Sequence, residues 1–225
     1  MRSSAASTRG SHPVRAADAV AVAAASAYEP ATATDEVGEL LAHALADDLE
    51  RSFERVVHTY QDRILSYSAR LLGDPGRAEE IVQDVFVRAY RALETYDRPR
   101  IRALRLRPWL YAIASNLVRN AVRGKRIRVV GLERDDGSAR PIFDAGPSPE
   151  SAIERDEDWR RVGDAIARLS PRLRSAFVLR YVEELSYDEI AQALAQPVGT
   201  VKSNAHRGLL AVRSALEAGP QENIS

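Results

Sequence analysis

Large apolar residues recur at a helical interval through the first half of the chain. Between residues 45 and 71 they are three, four or seven positions apart: Leu45, Leu49, Phe53, Val56, Tyr60, Ile64 and Leu71. Residues at these spacings lie on one face of an α-helix. No stretch alternates between apolar and polar residues for long enough to predict a strand. The pattern therefore predicts an all-α fold, in which residues 45–71 form one helix or two helices in series.

The first helical stretch is predicted to end at Gly73, Asp74 and Pro75. Glycine suits the position just after a helix, aspartate is a good N-cap, and proline suits the first turn of the next helix. The buried face of that next helix is predicted to contain Ala78, Ile81, Val82, Val85, Phe86 and Ala89. A loop around residues 97–99 and a helix from about Pro108 to Arg123 follow.

Residues 129–152 are rich in Gly, Pro, Asp and Ser and have no sustained period, which predicts a flexible acidic linker. We expect it to join two small helical domains, an N-terminal helical bundle (39–128) and a C-terminal helix-turn-helix domain (153–217). Residues 1–38 are interpreted as a disordered tail and residues 218–225 as a second tail. A signal peptide is the alternative for the N-terminus, but its alanine-rich run lacks Leu, Ile and Phe and contains Asp18.

Composition excludes several classes of protein. The 225 residues include no cysteine, so disulfides, cysteine-ligated zinc and a thiol nucleophile are excluded. The 4 histidines have no metal-ligand spacing, and we expect neither a metal nor another cofactor. No run approaches the roughly 18 apolar residues of a membrane span, and we expect no membrane insertion. The 32 basic and 32 acidic residues give a formal net charge of zero, which does not exclude local patches of one charge.

The segment LSYDEIAQALAQPVGTVKSNAHRG (185–208) predicts two helices joined by a sharp turn. Ser186 and Glu189 form a capping box, and the second helix is predicted from about Val198 to Ala215. Its polar face presents Thr200, Lys202, Ser203, Asn204, His206 and Arg207. Such side chains suit base edges and phosphates in a DNA major groove. A solvated helical hairpin and a protein-interaction module are the alternatives.

A basic run lies between residues 98 and 128. It contains 10 basic residues and no acidic one, interleaved with Trp109, Tyr111, Asn116 and Asn120. Basic groups bind phosphates, and aromatic rings and amides engage unstacked bases. A solvated basic face is the alternative. Trp109 lies in the apolar period of its own helix, so it is interpreted either as a core residue or as a residue that stacks on a base.

An acidic and amide surface is predicted on the helix that precedes the basic run. Glu79, Glu80, Gln83 and Asp84 fall on its exposed side. Acidic groups near a helix N-terminus are stabilised by the helix dipole, which explains part of the pattern without a function. A protein-docking site is the other interpretation.

The order of these parts resembles bacterial RNA polymerase sigma factors of the extracytoplasmic-function (ECF) type. The resemblance rests on AEEIVQDVFVRAYRAL (78–93), RPWLYAIASNLVRNAVRGKR (107–126) and the segment 169–208, which contains PVGTVKS. It covers residues 53–216, and it implies a non-enzymatic cytoplasmic protein that directs promoter-specific transcription initiation. The implied partners are core RNA polymerase, through its β′ clamp and β flap, promoter DNA and an anti-sigma factor.

The resemblance also implies roles for individual positions. The surface that binds the polymerase β′ clamp would comprise Glu80, Gln83 and Asp84. The segment that melts and reads the −10 promoter element would comprise Arg88, Trp109, Asn116, Arg119, Asn120, Arg123, Lys125 and Arg126. The helix that reads the −35 element would carry Thr200, Lys202, Ser203, Asn204, His206 and Arg207. The acidic linker would run through the polymerase interior.

Several positions depart from the family pattern. The family usually has Gly at Ala195, Arg at Asn204 and Leu at Ala205, and the loop between Tyr96 and Trp109 is longer here. We expect these departures to give the chain its own promoter preference. The competing hypothesis is a helix-turn-helix regulator that binds DNA without polymerase. An enzyme is disfavoured, because no glycine-rich phosphate loop, HExxH or Ser/His/Asp arrangement is present.

Overall fold

The structure is a computed structural model that describes residues 36–129 and 160–218, without the side chains of residues 125–129. Several predictions concern residues outside this description: the tail up to residue 35, the linker beyond residue 129, the start of the second domain at residue 153, and residues 219–225. The described residues contain helices and no strand, which confirms the all-α prediction.

Five helices form the N-terminal domain: α1 (Glu36–Asp47), α2 (Leu49–Leu72), α3 (Pro75–Glu94), α4 (Arg98–Arg102) and α5 (Leu106–Val129). The helix α1 begins three residues before the predicted domain boundary at residue 39. The helix α5 extends to the first residue of the predicted linker.

The apolar period between residues 45 and 71 belongs to two helices in series. Asp48 separates them, and its side chain accepts a hydrogen bond from the Arg51 N–H (3.1 Å), as an N-cap does. The α2–α3 junction is formed as predicted: Gly73 is left-handed (φ 65°), Asp74 accepts from the Arg77 N–H, and Pro75 is the first residue of α3. Local sequence signals are therefore sufficient to end α2 and to begin α3.

The loop predicted around residues 97–99 is instead the start of a short helix, α4. The Asp97 side chain caps it by accepting from the Arg100 N–H (3.0 Å), and Pro99 lies in its first turn. Only Ile101 of α4 is buried. A helix of five residues is too short to show an apolar period, which is why the pattern did not predict it.

The C-terminal domain comprises α6 (residues 160–168), α7 (Pro171–Phe177), α8 (Tyr187–Leu194) and α9 (Val198–Glu217). Ser170 precedes α7 at the cap position, but its side chain makes no capping hydrogen bond. A π-helical turn, Val178–Val182, follows α7, and the Glu183 N–H donates to the Val178 carbonyl five residues back (2.9 Å). Glu184 then adopts the left-handed conformation (φ 57°).

The two domains share one hydrophobic core. Buried apolar residues of both domains form a continuous cluster, in which α5 packs against α8 and α2 approaches α7. Inside the C-terminal domain, α9 packs closely on α7 at Gly208. A β-carbon there would lie 3.0 Å from the Phe177 β-carbon and 3.2 Å from the Leu173 carbonyl oxygen. The two helices can approach so closely because residue 208 has no side chain.

Candidate nucleic-acid interface

The exposed face of α3 carries the predicted docking residues. Glu80, Gln83 and Asp84 are all exposed, whereas Ile81, Val85 and Phe86 are buried on the opposite side. Val87 shares the exposed face and has 48% of its surface accessible. It lies one turn beyond Gln83 and Asp84, so the polar residues border an apolar side chain. The sequence pattern signalled Val87 only as an apolar residue outside the buried period of α3.

The outer face of α5 carries the polar residues of the central segment. Asn116, Arg119, Asn120 and Arg123 are exposed, and the Arg119 guanidinium donates to the Asn116 side-chain oxygen (3.2 Å). Arg88 is exposed on α3. The side chains of Lys125 and Arg126 lie outside the description. The exposed face of α5 therefore presents cationic and amide groups together, which is the combination that binds phosphates and base edges.

Trp109 lies at the edge of the core. It is half-buried, packs against the apolar cluster, and its ring centroid lies 6.3 Å from that of Tyr96. The Arg100 guanidinium lies over the Tyr96 ring, 3.6 Å from its centroid. The ring therefore contributes to the core and keeps part of its surface accessible.

Three arginines of the basic run bind within the chain. Arg102 pairs with Asp47 (2.6 Å), Arg105 pairs with Glu189 of the helix-turn-helix (3.1 Å), and Arg107 donates to the Glu183 carbonyl. The run is therefore not a uniformly solvated basic face. In its first part, Arg105 and Arg107 bind the C-terminal domain and Arg102 binds α1, and its second part lies on the exposed face of α5.

The helix-turn-helix motif comprises α8 and α9. Both hydrogen bonds of the predicted capping box are present: the Glu189 N–H donates to Ser186 Oγ (3.2 Å), and the Ser186 N–H donates to the Glu189 carboxylate (2.8 Å). Ala195 ends α8 in the left-handed conformation (φ 51°), and the Gln196 N–H donates to the Ala191 carbonyl (3.0 Å). This is the termination that usually has glycine at the left-handed position.

Five of the six predicted recognition residues are exposed on α9: Thr200, Lys202, Ser203, His206 and Arg207. Asn204 differs from the prediction, because only 5% of its surface is accessible. It lies three residues after Val201 and four before Gly208, so it belongs to the buried stripe of the helix. The Asn204 side-chain oxygen accepts a hydrogen bond from the Arg207 guanidinium (2.8 Å). Asn204 therefore supports Arg207 and is not itself presented on the outer face.

Two features are absent from the part of the chain that the structure describes. No group of three or more histidine or carboxylate side chains there is arranged to hold a metal ion. None of the helices in residues 36–129 and 160–218 combines the length and apolar character needed to cross a membrane.

The fold and these surfaces define a helical protein with a helix-turn-helix motif and a second, separate basic and amide surface. Comparison with known protein families identifies both halves. Residues 56–127 match the family model for Sigma-70 region 2, and residues 159–212 match the model for Sigma-70, region 4.

Curated relatives are similar over most of their length. The chain is 35% identical over 171 residues to the ECF RNA polymerase sigma factor SigW of Bacillus subtilis, covering 73% of this chain and 89% of that protein. It is 33% identical over 192 residues to the RNA polymerase sigma-H factor of Pseudomonas aeruginosa, covering 82% and 96%. The chain belongs to the ECF sigma factors, which bind core RNA polymerase and direct promoter-specific transcription initiation. Its match to both regions disfavours an independent helix-turn-helix regulator.

Solved structures show the same fold. The sigma factor RpoE of Bartonella quintana, in complex with the anti-sigma factor NepR, aligns with a TM-score of 0.61 and 19% identity, covering 76% of this chain and 99% of that one. CnrH in complex with the cytosolic domain of CnrY aligns with a TM-score of 0.57 and 24% identity, covering 81% and 99%.

Proposed function

We propose that the chain directs initiation through three separate surfaces, on α3, α5 and α9. The observation that carries the proposal is that nearly every predicted contact residue with a described side chain is exposed, on helices that the core fixes in place. The proteins of this family are not enzymes, and we expect no catalysis by the chain itself.

The α3 surface is proposed to bind the polymerase β′ clamp. It places the apolar side chain of Val87 beside Glu80, Gln83 and Asp84. Protein interfaces commonly combine an apolar centre with a polar rim. We therefore propose that Val87 contacts the β′ clamp together with the three polar residues that the sequence predicted.

The α5 surface is proposed to melt and read the −10 element. Arg119 and Arg123 supply phosphate contacts, and Asn116 and Asn120 supply donors and acceptors for an exposed base. Arg88 on α3 would extend this surface, as would Lys125 and Arg126. Trp109, at the edge of the core, is in a position to border a base that has left the stack.

The outer face of α9 is proposed to read the −35 element, in the way that a recognition helix enters the major groove. Thr200, Ser203 and His206 face outward and would contact base edges, while Lys202 and Arg207 would contact the backbone. Asn204 would act through Arg207, because the Asn204 side-chain oxygen accepts a hydrogen bond from the Arg207 guanidinium. The sequence predicted instead that Asn204 contacts the −35 element directly.

Family membership supports further roles for the domains and their partners. We propose that the domains divide at residues 39–128 and 153–217, with an acidic linker through the polymerase interior. The second domain would bind the β flap. An anti-sigma factor is the proposed inhibitor, since the solved structures of similar fold include complexes with such a protein. The proposed location is the cytoplasm, where polymerase and chromosome are found.

The test is binding to core polymerase and run-off transcription on a promoter library. The combined Gln83→Ala and Asp84→Arg variant should lose most core binding and transcription. The matched control is Gln61→Ala with Asp62→Arg, which changes the same residue types at a half-buried and an exposed position of α2. If the α3 variant binds and transcribes like the α2 control, the docking assignment is wrong.

The library also tests the two DNA surfaces. His206→Ala should change the selected bases within the −35 element and leave the −10 element unchanged. Arg119→Ala should weaken transcription from all promoters about equally, because phosphate contacts do not read sequence. A changed −10 preference in His206→Ala would contradict the assignment.

A further inference from the structure

The short helix α4 carries an arginine that stacks on an aromatic ring. The Arg100 guanidinium lies 3.6 Å from the centroid of the Tyr96 ring. The Tyr96 ring lies in turn 6.3 Å from that of Trp109, which packs at the edge of the core. These three side chains, Arg100, Tyr96 and Trp109, are called the Arg100 stack below. The stack runs from the core to an exposed cation.

Arg100 differs from the arginines that follow it in the chain. Arg102 pairs with Asp47, and Arg105 and Arg107 bind the C-terminal domain. Among the residues that the structure describes, no carboxylate pairs with Arg100. A guanidinium that stacks on a ring keeps its N–H donors, because they point outward in its own plane. Arg100 is therefore a positioned cation whose donors are not used by a described carboxylate.

The helix α1 holds α4 in place. Ile101 is 4% exposed and belongs to the same buried cluster as Leu45 of α1, and the two helices pack together. The Arg102 guanidinium pairs with Asp47 at the end of α1 (2.6 Å). A helix of five residues is not stable by itself, so these contacts determine where α4 lies. The helix that carries Arg100 is thus fixed by α1.

The Arg100 stack adjoins the surface that is proposed to read the −10 element. Asn116, Asn120 and Arg123 lie seven, eleven and fourteen residues after Trp109. Residues at these intervals share one side of an α-helix, and Asn116 is about 10 Å from Trp109 along the axis. Trp109 is therefore the N-terminal member of this row on α5, and Tyr96 and Arg100 lie beside it.

The fixed geometry of Arg100 suits a base edge better than a phosphate. A phosphate contact needs only a nearby positive charge, which Arg98 of the same helix supplies; Arg98 is exposed and lies over no ring of the described residues. Discrimination between bases needs donors in a fixed direction, because arginine reads guanine through the paired acceptors O6 and N7. In a melted strand these acceptors are no longer covered by the partner strand, and neighbouring bases can stack on aromatic rings.

We propose that Arg100 is a specificity-determining residue, which donates a bidentate pair of hydrogen bonds to a guanine in or beside the melted −10 element. Tyr96 and α1 act as positioning groups for it. The inference deepens the proposed function of the α5 surface and rests on that function. The longer loop between Tyr96 and Trp109 contains α4, so the contact belongs to the part of this chain that departs from the family pattern.

The experiment is run-off transcription by core polymerase with the full-length chain, on a promoter library randomised around the −10 element. The unmodified chain should prefer guanine at one position. Arg100→Ala and Arg100→Lys should both lower that preference about tenfold or more, because lysine keeps the charge and loses the planar fork. The matched control is Arg98→Ala, which should lower transcription from all promoters about equally and keep the preference.

Further variants test the positioning groups. Tyr96→Phe keeps the ring and should keep the guanine preference, whereas Tyr96→Leu should weaken it at the same position. Asp47→Arg should weaken it about two- to threefold, because the Asp47–Arg102 pair is partly exposed. Adding Arg102→Asp reverses the pair and should restore the preference. A loss of general stability would not be repaired at that one promoter position.

The outcomes separate this inference from the proposed function. The inference is overturned if the unmodified chain selects no guanine, if Arg100→Ala lowers all promoters alike, or if Arg100→Lys keeps the preference. Binding to core polymerase and the −35 preference should be unchanged in every variant. An unmodified chain that neither binds core polymerase nor supports transcription would reject the proposed function, whereas normal transcription with an unaltered preference in Arg100→Ala rejects the inference alone.

Discussion

The junction between α2 and α3 and the junction between α7 and α8 each join two helices, but they use different residues. The first has Gly73 in the left-handed conformation, followed by Asp74 as N-cap and Pro75 at the start of α3. The second has a π-helical turn and places Glu184 in the left-handed conformation, and Ala195 is left-handed again at the end of α8. The N-terminal junction therefore follows local propensity, whereas the C-terminal domain keeps strained residues next to its interdomain contacts and its recognition helix.

This difference teaches where the stability of each domain comes from. A junction built from favoured residues needs little help from the rest of the fold. A junction with strained residues persists only because surrounding contacts compensate for the strain. In the C-terminal domain those contacts are the close packing of α9 on α7 and the bonds to the N-terminal domain. Substitutions in the two domains should therefore act through different physical causes.

The largest effect is expected from Gly208→Ala, which tests packing in the C-terminal domain. Its new methyl group would meet Phe177 at 3.0 Å and a backbone oxygen at 3.2 Å. Overpacking of this kind costs about 2 kcal/mol of unfolding free energy. The control is Gly199→Ala on the same helix, where a β-carbon meets nothing within 4 Å. Thermal and denaturant unfolding followed by circular dichroism measures both, and equal stability of the two variants would contradict close packing at residue 208.

Much of the fold could be predicted because it depends on neighbours in sequence. The Gly73 junction, the capping box of Ser186 and Glu189, and the buried faces of α2 and α3 were all expected. The short helix α4 was missed because five residues contain no period. Asn204 was placed on the wrong side because a polar residue was assumed to face outward. The close packing at Gly208 and the contacts of Arg63, Arg107 and Tyr111 with Glu183 were missed for a different reason: each depends on residues that are distant in the sequence, and no local pattern signals such a contact.

Tyr67→Phe tests a long-range polar contact in the N-terminal domain. Tyr67 is fully buried and its hydroxyl hydrogen bonds to Ser115 (2.7 Å). Loss of that bond should cost about 1–1.5 kcal/mol of unfolding free energy at neutral pH. Tyr90→Phe, at a half-buried position on α3, serves as the control and should cost less.

The same variant gives a pH test with a definite sign. Burial raises the pKa of Tyr67 from 10.0 to about 12 in the folded protein. The neutral phenol therefore contributes stability that is fully present below pH 10 and is lost as pH rises through 12. The stability difference between the unmodified protein and Tyr67→Phe should accordingly shrink between these limits, because the other tyrosines are common to both. A constant difference would mean that Tyr67 is not the group that titrates.

A smaller effect is expected from Gly73→Ala, which tests the N-terminal junction directly. A β-carbon at this position meets nothing within 4 Å, so the whole cost arises from the left-handed backbone at φ 65°. That cost should be about 1 kcal/mol of unfolding free energy. Gly76→Ala, in the first turn of α3 with only an ordinary contact at 3.8 Å, should be neutral or stabilising. Should both variants lose the same stability, the backbone conformation of Gly73 would not be the cause.

The smallest effect, and the one of opposite sign, is expected from Ala195→Gly. Ala195 is left-handed (φ 51°) at the end of α8 and exposed, so glycine removes backbone strain without removing a packed side chain. The relief of about 1 kcal/mol or more is partly offset by the greater freedom of glycine in the unfolded chain, which leaves a gain of about 0.5 kcal/mol. Ala218→Gly is the control, because Ala218 follows α9 in a right-handed conformation (φ −67°) and has no such strain to lose. If the two substitutions change the unfolding free energy alike, the left-handed alanine is not strained, and the contrast between the junctions would rest on Glu184 and the π-helical turn alone.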